Sequence, residues 1–212
     1  MADKDKTQTT IADYVGDMVA LQNHIEEALD RQLEMSTNMP VAYAAIKRFH
    51  DTVKSQRNAM KAYEEQVGST AGSPIKEAGA ALLGVAAGLI DKVRTEGISK
   101  AMRDDYTAFN HAAISYTMLH ATAVALGDQQ TARMAREGLE AYARMVQEIN
   151  HVIADVVVEE LKRDEHSIVD MQAADKNRAM VDNAWSETAS SGSGSFGSMT
   201  GGFGGSEAST GI

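Results

Sequence analysis

The chain has 212 residues, a formal net charge of −10, no cysteine and only 5% aromatic residues. An acidic surface repels phosphate backbones and no basic stripe offsets it, so nucleic acid is not an expected partner. The lack of cysteine excludes disulfides, thiolate metal sites and cysteine catalysis, and it fits a reducing, cytoplasmic setting.

The length suits one domain with a real core, plus an appendage. Twelve methionines among many alanines, leucines and valines fit packed helices better than sheets. The start, Met1-Ala2-Asp3-Lys4-Asp5-Lys6, is polar and no apolar run follows it, so no secretory signal is expected. The most apolar stretch, Ala78 to Ile90, is too short to span a bilayer.

The first helix is expected from about Thr10 to Met35, with Ile11, Tyr14, Met18, Leu21, Ile25 and Leu29 on its inner face. Ser36 to Pro40 breaks it. A second helix runs to about Gln66 on a stripe of Ala42, Phe49, Val53, Met60, Tyr63 and Val67. Gly68 to Pro74 reads as a loop. The segment from Ile75 to Val93 is a Gly/Ala-rich helix, in which Gly79, Gly84 and Gly88 imply close approach to a neighbour. A third long helix spans about Ser99 to Leu126, with Met102, Tyr106, Phe109, Ala113, Tyr116, His120 and Ala123 inward and Gly127 closing it. The fourth covers about Gln130 to Lys162, with Leu139, Tyr142, Val146, Ile149, Ile153 and Val156 inward.

The bundle is thus assigned to residues 1–163 and a docking helix to 164–185, held by Met171, Ala174, Val181 and Trp185. Residues 186–212 contain eight glycines, eight serines and no lysine or arginine, the composition of a low-complexity tail. Two of the chain's four phenylalanines, Phe196 and Phe203, sit in it and are expected to anchor it on neighbouring subunits. Ile114, Met118, Ala121 and Ala125 form a second apolar face on the third helix. The 75–93 helix or a second subunit is expected to cover that face, and the protein to be at least a dimer.

A four-helix bundle holds two metals through a glutamate from each of two helices and a Glu-x-x-His from each of the others. Glu148-Ile149-Asn150-His151 has that spacing, but at about 100° per residue its ligands lie beside and opposite the inward Ile149. Glu26 and Glu27 fall beside Ile25 or behind it, and His24 fails in the same way. His50 lies at the edge of its stripe and His111 faces away. His120 alone falls inside a stripe, with no inward carboxylate, and reads as a hydrogen-bonded core histidine. No nucleophile elbow, phosphate loop or dinucleotide glycine pattern occurs.

The order of segments over residues 10–162 resembles a bacterial family of ferritin-like, metal-binding stress proteins. The resemblance rests on Asp17-Met18-x4-Asn23-x5-Leu29, Phe49-His50 and Gly88-Leu89-Ile90. It also rests on Asp104-Asp105-Tyr106-x2-Phe109-Asn110-His111-x2-Ile114-Ser115-Tyr116 and Ala125-Leu126-Gly127. It implies an all-α, ferritin-like antiparallel four-helix bundle and a di-metal centre. The positions matching that family's acidic ligands read Gln22, Asn110 and Ala113, and Ala141-Tyr142. His50 and His111 remain. Unneutralised cations in a dry core are costly. The expectation is therefore a degenerate branch with no cofactor: a non-enzymatic, self-assembling protein whose tail is an interaction arm. The competing reading is a metal-dependent stress-response or iron-handling protein using His50, His111, His120, Glu148 and His151.

Overall fold

The computed structural model describes the backbone of residues 2–71 and 97–192, and the side chains of 6–66 and 97–186. Among these the fold is all-α, with five helices and no strand. They are α1 (Ala2–Met35), α2 (Pro40–Ala71), α3 (Ile98–Ala125), α4 (Gln129–Arg163) and α5 (Ala173–Gly192). None is long and apolar enough to cross a membrane. The expected 75–93 helix and both tail phenylalanines lie outside the described residues.

Cross-links between helices set the topology. Gln22 meets Tyr116 and Gln32 meets Asp105, so α1 and α3 run antiparallel. Arg57 meets Glu26 while His50 meets Asp30, which makes α1 and α2 antiparallel. Arg48 with Glu148 and Tyr63 with Thr131 do the same for α2 and α4. The two hairpins α1–α2 and α3–α4 close a square in which α2 and α3 are parallel and diagonal. The end of α2 and the start of α3 therefore lie at opposite ends of the bundle. One end-to-end crossover between two hairpins is the connectivity of ferritin-like bundles.

Helix ends are held by acids. Pro40 opens α2, where its missing N–H costs nothing. The next two N–H groups, of Val41 and Ala42, donate to Glu159 near the end of α4, both at 3.1 Å. Its neighbour Glu160 accepts from the Ile98 N–H at 2.7 Å and from the Ser99 hydroxyl, capping α3. Two adjacent glutamates thus tie the start of α2 and of α3 to one helix end, and their charges oppose the positive poles of both helices. Asp128 caps α4 by accepting from the Gln130 and Thr131 N–H groups. Gly127 takes φ 77° and ends α3 as its position predicts.

Several boundaries differ from the sequence reading. Gly68 to Ala71, read as loop, continue α2. The fifth helix begins at Ala173 rather than 164 and runs past Trp185 into the serine-rich stretch. It runs antiparallel to α4, with Arg178 bridging Asp155 and Asp175. Of the residues expected to dock it, Met171 and Trp185 are 72% and 56% exposed, while Ala174 and Val181 are half-buried beside the Arg178 ion pairs.

Candidate functional site

The centre of the bundle is an aromatic column. Phe49 meets Phe109 edge-on with centroids 5.4 Å apart, Phe109 meets Tyr142 at 5.9 Å, and Tyr142 meets Tyr116 at 5.7 Å. All four rings are fully buried. Gln22, also fully buried, donates from Nε2 to the Tyr116 hydroxyl at 2.6 Å. Gly138 on α4 makes room for this column. A Cβ there would lie 2.3 Å from the Tyr116 ring. Burial pushes both phenols well above their ordinary pKa, so both stay neutral.

A pair of divalent cations does not fit this layer. Its polar groups are one amide and two neutral phenols, which supply no charge to balance two ions. Gln22 and Tyr142 occupy the core as expected. Asn110 does not: it is exposed and donates to the Tyr106 carbonyl on its own helix. Ala113 is half-buried. Both line an outer groove of about 380 Å³ between α3, α4 and α5, with Tyr106, Val146, Asn150 and Trp185. The inward face of α3 is rotated from the stripe read in sequence. Asp105, Ala112 and Leu119 are buried, whereas Tyr106, Ala113 and His120 are half-buried. His120 is therefore not a core histidine.

The bundle does contain inward carboxylates, contrary to the sequence reading. Asp105 is fully enclosed and accepts from Gln32 Nε2 at 2.8 Å, while its other oxygen has no partner. Burial lifts its pKa to about 7, against the Gln32 bond, with the charge of Asp104 adding to the rise. Its position on α3, between Met102 and Phe109, is the signal that a search for glutamates passes over. Glu26 is the second, only 8% exposed. It lies in the α1–α2 seam, paired with Arg57 at 2.8 Å. A helix packed against two neighbours buries two stripes, so a residue one position from Ile25 enters the second.

The five histidine and glutamate candidates do not converge. His50 is buried in the α1–α2 seam, 2.9 Å from Asp30. His111 lines a shallow α1–α3 groove with Tyr14, Asp17 and Met118. His120 lies two turns and more further along α3. Glu148 pairs with Arg48, and His151 is exposed 3.8 Å from Asp182 of α5. Only His50 joins a group with metal-ligand character, and its companions there are Glu26 and Asp30.

The second apolar face of α3 is bare among the described residues. Ile114 is 56% exposed and Met118 50%, with Val124 and Leu126 exposed beyond them. Comparison with known proteins finds no matching curated protein and no matching solved structure. A family described as Domain of unknown function (DUF892) matches residues 7–162, nearly all of the four-helix bundle and most of the chain. The chain belongs to the DUF892 family.

Proposed function

We propose that the protein is a non-enzymatic, self-associating bundle, a degenerate relative of the ferritin-like stress proteins that retains their scaffold without their redox centre. One observation carries this reading: the layer where such a bundle would do its chemistry is filled by Gln22, Phe109, Tyr116 and Tyr142, packed over Gly138. Neutral, close-packed side chains support a structural core rather than a reacting one. Self-association is supported by the exposed Ile114 and Met118 on α3. Burying each against a second copy contributes about 1.5–3 kcal/mol. The tail, with Phe196 and Phe203, is proposed to strengthen the contact between subunits. The cysteine-free composition supports a cytoplasmic location.

Light scattering on the purified full chain tests the proposal. A dimer or larger assembly is expected. Ile114→Asp with Met118→Asp should give a folded monomer, and truncation after Trp185 should weaken assembly while leaving the bundle helical. A parent chain that is monomeric at all concentrations removes self-association from the reading.

A further inference from the structure

Between α1 and α2 three electron-pair donors face one another. Glu26 and Asp30 are one helical turn apart on α1, and His50 reaches them from α2. One ligand atom from each lies within 4.8 Å of the others. The His50 side chain is only 9% exposed. Its Nε2 is 2.9 Å from Asp30 Oδ1, yet the two do not form an aligned hydrogen bond, and Nε2 is buried without a hydrogen-bond partner. Glu26 Oε2 is buried without an aligned hydrogen bond as well, although Arg57 Nε lies 2.8 Å from it.

The other face of the ring explains the arrangement. His50 Nδ1 lies 3.4 Å from Asp51 Oδ1. Lys47 hydrogen-bonds Asp51. With Nδ1 turned toward Asp51, Nε2 faces Asp30 and Glu26. Metal-binding histidines are oriented in this way, by donating their second ring N–H to a carboxylate. Adjacent ligands of a tetrahedral ion with bonds of about 2.1 Å lie about 3.4 Å apart, so the 2.9 Å between Nε2 and Asp30 needs only a small outward shift of the exposed Asp30 carboxylate. Arg57 brings a guanidinium to the cluster. It contacts Glu26 and reaches Asn23 at 3.4 Å, and its side chain is 24% exposed. It balances Glu26 but not the lone pair of His50.

We propose that Glu26, Asp30 and His50 form a mononuclear site for a first-row divalent cation, zinc in the first instance, which pins α1 to α2 and displaces Arg57 toward solvent. One imidazole and two carboxylates suit such an ion, whereas calcium takes six to eight oxygens. The site lies in the α1–α2 seam and stands whether or not the protein self-associates.

Calorimetric titration of the untagged, chelator-stripped full chain with zinc chloride tests it, with calcium chloride as control. One zinc per chain is expected, no calcium binding, and a zinc-dependent rise in melting temperature. Asp30→Asn alters a side chain that is 61% exposed, so it should fold normally yet bind zinc about tenfold more weakly or worse. His50→Gln should behave alike, with folding checked by circular dichroism. Arg57→Gln removes the competing guanidinium and should tighten binding. Absence of saturable zinc binding overturns the proposal, as does binding that Asp30→Asn leaves unchanged.

Discussion

The centre of the bundle and the α1–α2 seam solve the same problem in opposite ways. Both bury polar side chains from α1, four residues apart at Gln22 and Glu26. At the centre the partners are neutral: an amide against two phenols that burial keeps protonated. In the seam charges are present, with Arg57 against Glu26 and Asp30 beside His50. The difference follows solvent. Arg57 and Asp30 keep 24% and 61% of their side-chain surface in water, so the seam pays only part of the desolvation cost of a charge. The centre has no such outlet and tolerates no charge. Asp105 tests the rule, because it is as enclosed as the centre yet carries an acid, and its pKa rises accordingly.

The largest effect should come from disturbing the central packing. Gly138→Ala puts a methyl group into the Tyr116 ring, 2.3 Å from its nearest atoms, and should cost about 3 kcal/mol in urea denaturation. Normal stability in that variant would mean that Tyr116 moves freely and that the centre is not close-packed.

Asp105 should give a pH signature of about 2 kcal/mol between about pH 5 and pH 7. Its folded pKa of about 7 exceeds the unfolded value, so the folded state holds the proton more tightly. The stabilising contribution is full below pH 4 and is lost as pH rises toward 7. Asp105→Asn should remove this slope, making the variant relatively more stable at pH 8 than at pH 5. Parallel pH profiles for parent and variant would place a charged carboxylate in the core and break the contrast between the regions.

Loss of a cap should be smaller. Glu160→Gln weakens the bonds to the start of α3 and should cost about 1 kcal/mol, seen as faster amide exchange in its first turn. Tyr142→Phe should change stability least. Its hydroxyl is buried without a partner, so removing it should be neutral or slightly stabilising. A loss above about 1 kcal/mol would reveal a hydrogen bond at the centre and sharpen the description of that layer.

The helices themselves were legible because their determinants are local. Apolar spacing, Pro40 and Gly127 placed the first four to within a few residues at most ends, apart from the first turns of α1 and the last of α2. That Gln22 and Tyr142 bring no carboxylate was also readable, since it concerns residue identity alone. Which face of a helix is inward was less so. A single periodic stripe cannot describe α1 or α3, each of which packs against two neighbours. That is why Glu26 was assigned to the surface and His120 to the core, whereas Asp105 lies on the Met102–Phe109 stripe and was passed over because the search was for glutamates. The seam of Glu26, Asp30 and His50, the capping of two helices by Glu159 and Glu160, and the seat of Tyr116 on Gly138 all join residues more than 19 positions apart. Composition and period determine that helices form; only their antiparallel registry decides which side chains share a dry interior, and therefore which can remain charged.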